Sequence, residues 1–439
     1  ASVLVRTLLM PLTPHLLESQ IDNVGVYAEA APETFLSIIE ADLKTDDSAA
    51  MAIIRPNTDA MFGSTPRTGL LWALEGLGWS EPLFMRTVLV LGQLAERPLS
   101  DNLVNKPSNS LAAMFRAWMP QTSAPLAARK AALKKLAAEY PKVAWPICLD
   151  QFAPHSRFGG HSHKPRWRPD GHGFGDPISR SEANDFALFA FDMAINWPSL
   201  NCGMICDLLD NLSGLTEELQ LKAWDVTDAW TATATDEDKA VLRERIRVTT
   251  MTRRAIRQKG GRQAIKTASR AKAAYDRLEP KDPVQRNAWL FSKSWVDESA
   301  DEIEEEALDY RARDERITRL RETAAQEVFQ SGGVTALMKL AETGDAGFNL
   351  GWAFAATMSD EAALIEALLE LIEGGDLDGA RRAVVMGILI QGSERSLLDK
   401  SAHRVSDEKV VPLLTSAPFD RATWAVVDSF DSDVRTAYW

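Results

Sequence analysis

A chain of 439 residues, 45% hydrophobic and 25% charged, is longer than one compact core requires and suggests two or three domains or one elongated array. A net charge of −13 argues against wholesale nucleic-acid binding, and three cysteines, an odd count, argue against a disulfide framework and for a reducing, cytoplasmic setting. No stretch approaches the roughly 20 uninterrupted apolar residues of a membrane helix, and no secretory signal is visible: the apolar run at residues 3–10 is broken by Arg6 and stopped by Pro11.

Apolar residues recur at helical spacing along most of the chain. Leu70, Leu71, Leu74 and Leu77 form one stripe behind Ser64 and Pro66, which cap and open a helix. Leu126, Leu133 and Leu136 repeat the pattern behind Ser123 and Pro125, and Phe186, Phe189, Ala190 and Met193 repeat it behind Ser181. Leu364, Leu368, Leu369 and Ile372 follow Ser359-Asp-Glu361, a helix start, and Gly374-Gly375 stops them. Val384, Val385, Ile388 and Leu389 make the next stripe. Alternating β-branched runs joined by hairpin turns do not occur, so the chain reads as all-α. Short joints force antiparallel neighbours, and many hairpins in succession favour an elongated α-solenoid of degenerate HEAT- or TPR-like repeats.

Two segments interrupt this pattern. Residues 154–177 are rich in proline and glycine, too long for an ordinary joint, and mark the main boundary. The expected organisation is a helical-repeat segment at 1–153, the loop at 154–177, a central helical segment at 178–330 and a C-terminal helical-repeat segment at 331–439. Residues 239–277 carry thirteen Lys and Arg against Glu244 and Asp276, a local net charge of +11, and an acidic run follows at 297–309. The absence of an initiator Met and the terminal Tyr438-Trp439 suggest a piece of a longer polypeptide.

Four stretches carry a resemblance: Thr65-Pro-Arg-Thr-Gly-Leu-Leu-Trp-Ala-Leu-Glu75, Trp118-Met-Pro-Gln-Thr-Ser-Ala-Pro125, His163-Lys-Pro-Arg-Trp-Arg168, and Leu278-Glu-Pro-Lys-Asp-Pro283 with Trp289-Leu-Phe291. They resemble the long helical region of large multidomain bacterial proteins, some of them anti-phage sensors of the STAND NTPase type. The resemblance implies a helical-repeat region that senses a ligand or partner beside an effector or nucleotide-binding module, with any enzymatic part elsewhere in the polypeptide.

Several constellations invite chemistry. His155, His161, His163 and His172 crowd the 154–177 loop. Imidazoles can ligate a zinc-like ion, with Asp150, Asp170 or Asp176 as a further ligand, which would suit a metal-dependent hydrolase. The spacing matches no metalloenzyme signature, however, and histidines that cap or contact neighbouring helices are the simpler reading. Arg166, Trp167 and Arg168 combine planar cations with an indole face, fit for a nucleotide or single strand; the competing and favoured reading has Trp167 plugging the helical array while the arginines pair with acids.

Arg247, Arg254 and Arg257 lie near whole helical turns in the basic segment and could follow a phosphate backbone, although the acidic run can neutralise them within the chain. Cys202 and Cys206, four residues apart, suit a metal or redox pair, but read more simply as small buried hydrophobes. Thirteen tryptophans are spaced to key successive helices together. No phosphate-binding loop or nucleophile elbow is present. The composite expectation is a non-catalytic scaffold whose partner is a protein, with nucleic acid as the alternative, and no membrane association.

Overall fold

The computed structural model describes residues 1–56, 65–153, 160, 162–169, 178–251, 268–296, 310–392 and 396–439. Among them every regular element is a helix and none is a strand. Proline sets the starts: Pro14, Pro32, Pro66, Pro107, Pro141 and Pro283 each open a helix, where the missing N–H would be unpaired anyway and the fixed φ is already helical. Side-chain caps set others. Ser179 rather than Ser181 caps the helix Arg180–Ile195, accepting from the Glu182 N–H, and Asp360 accepts from the N–H groups of Ala362 and Ala363 at the start of Glu361–Glu373.

The chain divides into two compact units: residues 1–200 with 210–223, and residues 201–209 with 224–439. They part downstream of the 154–177 segment, and the described portion of that segment, residues 160 and 162–169, belongs to the first unit. In this unit the helix Glu81–Ala95 is central, packing on Pro32–Asp42, Pro66–Gly78, Pro107–Phe115 and Leu126–Glu139. Phe84, Phe115 and Phe186 meet in its core, with ring centroids 5.8 and 6.3 Å apart along the series. The helix Val24–Ala30 lies against Pro66–Gly78, and Gly69 permits the close approach, because a Cβ there would stand 2.6 Å from the carbonyl oxygen of Ile21.

The second unit has its own core. The long helix Tyr310–Ala341 breaks at Gly332-Gly333, where Gly333 takes φ +61°, a conformation that a side chain would strain. From residue 347 onward helices pack on the next but one as well as within hairpins. Gly347–Thr357 lies on Gly379–Gln391, Glu361–Glu373 on Leu397–Ala402, Gly379–Gln391 on Asp407–Ser416, and Leu397–Ala402 on Arg421–Asp428. The apolar stripes of Leu364, Leu368 and Ile372 and of Val384, Val385 and Ile388 are fully or almost fully buried in that arrangement. No helix of the described residues is long and apolar enough to cross a membrane.

Candidate functional site

The described part of the histidine-rich segment forms a non-helical strap, bent at residues 166–168, against the helix Pro66–Gly78, held by side chains that reach its backbone. The Ser162 N–H donates to Gln121 Oε1 at 3.0 Å, and the His163 N–H to Glu75 Oε2 at 2.8 Å. The carbonyl of His163 accepts from Trp79 Nε1 at 3.2 Å. Farther on, the Glu29 carboxylate accepts from the Arg166 N–H at 2.9 Å and the Trp167 N–H at 2.8 Å. These grips are themselves braced: Ser110 Oγ donates to the other Glu75 oxygen at 2.7 Å, and Gln121 is fully buried. A segment outside any helix or sheet lacks regular partners for its amides, so such acceptors replace the water they would otherwise need.

Two aromatic contacts fix the strap's side chains. Trp72 and Trp79 are seven residues apart and therefore share a helical face. His163 stacks on Trp72, with ring centroids 5.3 Å apart and planes at 8°, and the Lys164 ammonium lies 4.6 Å from the Trp79 ring centroid. Partial desolvation holds that ammonium below the ordinary lysine pKa. Pro165 is buried.

Beside the strap runs a groove with a volume of about 900 Å³, in which Trp72, His163, Arg166 and Trp167 line one part and Glu18, Ile21, Asp22, Val26 and Glu29 another. Its far wall is anchored by Arg67, fully buried, which grips Asp101 through two bonds of 2.6 and 2.7 Å and the carbonyls of Asn105 and Arg55. Arg55 pairs with Glu18 at 2.8 Å at the rim. The exposed faces are aromatic: Trp72 is 45% and Trp167 66% exposed.

The strap corrects one expectation. Trp167 does not plug a helical array; its backbone is tied to Glu29 while its indole projects from the groove's edge. The Arg166 guanidinium is exposed and has no ion pair among the described residues, and Arg168 is half-buried. Of the four histidines of the 154–177 segment, only His163 lies within the described residues, and its ring is engaged with Trp72; His155, His161 and His172 lie outside them. Among the described residues no group of three or more His, Cys, Asp or Glu is placed to hold a metal ion.

In the basic segment, Arg254 and Arg257 also lie outside the described residues, as does the acidic run at 297–309. Of the described arginines there, Arg243 and Arg247 are buried. Arg247 is 4% exposed, held by both oxygens of Glu244 at 2.8 Å, and lies 4.2 Å from the Trp289 ring centroid. Arg243 donates to the Tyr275 carbonyl at 3.1 Å and covers that ring, while Arg270 and Arg277 both reach Asp228. Neutralisation within the chain is thus observed here, but through Asp228, Glu244 and Glu279. Arg243 and Arg247 therefore do not form an open cationic face, because their apolar stems and planar heads are buried against aromatic rings.

Cys148 and Cys206 are buried and Cys202 half-buried, and all three are free thiols. The gripping residues Glu29, Glu75 and Gln121 have no special signal in a chain with 62 acidic residues. The spacing of Trp72 and Trp79 is the one feature that could have located the strap's seat. No family model, curated protein or solved structure matches the chain.

Proposed function

We propose that this chain is a non-catalytic helical scaffold whose recognition surface is the aromatic groove of the first unit, and that it takes an extended segment of a protein partner. The observation that carries this reading is the strap itself. Glu29, Glu75, Gln121 and Trp79 already satisfy the backbone of one non-helical segment, and open indole faces lie beside it. Peptide recognition uses the same physics: polar groups answer the main chain, and aromatic surface receives side chains. The next-but-one packing of the second unit's helices supports the finer architectural proposal, a degenerate α-solenoid of helical hairpins. From the sequence resemblance, the scaffold would be the sensing or regulatory arm of a larger bacterial defence or signalling protein in the cytoplasm.

A displayed library of random peptides selected on the intact chain tests the groove. Sequences enriched on the unaltered protein should be lost on a Trp72→Ala/Trp167→Ala variant that retains its helical circular dichroism. Equal enrichment on both would remove the groove from the function.

A further inference from the structure

We infer that the groove's occupant is an extended cationic peptide, one that sets a Lys or Arg side chain against the exposed indole of Trp167 and toward the carboxylate of Asp22. The inference rests on the reading of the groove as a recognition surface and names the chemistry it selects. Carboxylates outnumber cations along the groove: Glu18, Asp22 and Glu29 stand against Arg55 and Arg166. Arg55 is already engaged by Glu18 at 2.8 Å. Among the described residues Glu29 is met by the neutral N–H groups of Arg166 and Trp167 and by no cation, so its charge is not cancelled there. Asp22 is exposed and has no cationic partner among the described residues.

The aromatic side of the groove points the same way. An indole face attracts a cation through its quadrupole, more so when flanked by carboxylate charge. The chain displays this pairing on the adjacent strap, where Lys164 lies over Trp79 and the following Pro165 is buried. Trp167, 66% exposed, offers a second such face. A phosphate backbone or an acidic peptide would meet the uncancelled charges of Asp22 and Glu29, with Arg166 as the one cation among the described lining residues that no carboxylate engages.

The test uses the intact chain and fluorescence anisotropy with three labelled peptides of equal length, alternating proline with arginine, with alanine or with glutamate, and a labelled oligothymidylate. The arginine peptide should bind best, and Trp167→Ala and Asp22→Asn should each weaken it about fivefold to tenfold. Both substitutions are at exposed positions, so unchanged circular dichroism separates lost binding from lost fold. If the alanine or glutamate peptide binds as tightly, through Trp167, the cationic preference is overturned while the groove stands. Oligothymidylate binding that depends on Trp167 overturns it in favour of nucleic acid. If none of the probes responds to either substitution, the inference fails; the library selection then decides separately whether the groove recognises any peptide.

Discussion

The imidazole of His163 lies flat on the indole of Trp72, with centroids 5.3 Å apart and planes at 8°, and this stack marks where the strap meets the helix Pro66–Gly78. The stack is accompanied by backbone bonds on both sides of His163, from its N–H to Glu75 and from Trp79 to its carbonyl. His163→Ala should therefore remove aromatic overlap without releasing the strap. The fluorescence of Trp72 should change, while amide exchange at Ser162 and His163 remains within about tenfold of the unaltered protein, since a stacked pair contributes only about 0.5–1.5 kcal/mol. Exchange accelerated a hundredfold would mean that the ring, not the backbone grips, holds the strap.

Glu29 should matter more than either ring. Its carboxylate accepts from two successive backbone N–H groups, and charge-assisted bonds of this kind are the stronger class. Glu29→Gln keeps the shape, removes the charge and leaves one good acceptor. Within the strap, Lys164 and Arg168 precede prolines, so Arg166–Trp167 is the bond open to trypsin. Cleavage there should accelerate roughly tenfold in the variant, the equivalent of about 1.4 kcal/mol of local opening. An unchanged cleavage rate would show that the strap is held from elsewhere.

Arg67 secures the groove's wall from below. It is fully buried, with Asp101 only 9% exposed, and it also satisfies the carbonyls of Asn105 and Arg55. Removing one member of such a pair leaves the other charge buried and uncompensated. Arg67→Ala should cost about 3–5 kcal/mol in urea denaturation. Asp101→Asn should cost less, because the amide still accepts a hydrogen bond while the guanidinium keeps both carbonyls. Equal costs would mean that Coulomb attraction to Asp101, rather than the whole bond set, dominates.

Cysteine chemistry follows from burial. Desolvation pushes the Cys148 thiol from its ordinary value of 9.0 up to about 12, and Cys202 is raised in the same sense, by desolvation first and the charge of Asp238 second. At pH 8 the native Cys148 should alkylate with iodoacetamide at least about a hundredfold more slowly than in denatured chain, as read by peptide mass mapping. The linked stability has a definite sign. A thiol kept protonated by the fold contributes stability below pH 9, and that contribution is lost as pH rises from there towards 12. Rapid native alkylation of Cys148 would contradict its burial.

Much of the helical framework was legible, and for simple reasons. Pro66 and Pro125, the Ser359-Asp-Glu361 start and the leucine spacings act within a few residues of themselves, so local physics decides them. The strap was not legible in the same way. Its seat depends on Glu29 and Glu75, which lie 138 and 88 residues away from their partners in the chain, and a carboxylate's role at that separation leaves no periodic trace. Trp167 was misread for a related reason: a large indole is normally buried, but here the backbone amide carries the anchoring and frees the ring. Arg243 and Arg247 lie near one helical turn apart. Spacing shows which side chains share a face, not whether that face meets solvent or Trp289 and Tyr275.

Two glycines of the second unit are required by close backbone approach, and one of the first unit is not. Where Gly347–Thr357 crosses Gly379–Gln391, a Cβ on Gly351 would lie 2.0 Å from the Val384 carbonyl oxygen, and one on Gly387 would lie 2.2 Å from that of Phe348. Both obstacles are backbone atoms, so no side chain can swing aside and the helices themselves must separate. Gly387→Ala should cost roughly 3 kcal/mol in chemical denaturation, with Gly351→Ala similar. Their double substitution should cost less than the sum, because one separation relieves both clashes. Gly76 provides the control: it is helical, and a Cβ there meets nothing within 4 Å. Gly76→Ala should leave stability unchanged or raise it by up to about 1 kcal/mol by restricting the unfolded chain. If Gly387→Ala proved as harmless as Gly76→Ala, the two helices would not cross as closely as these backbone distances require.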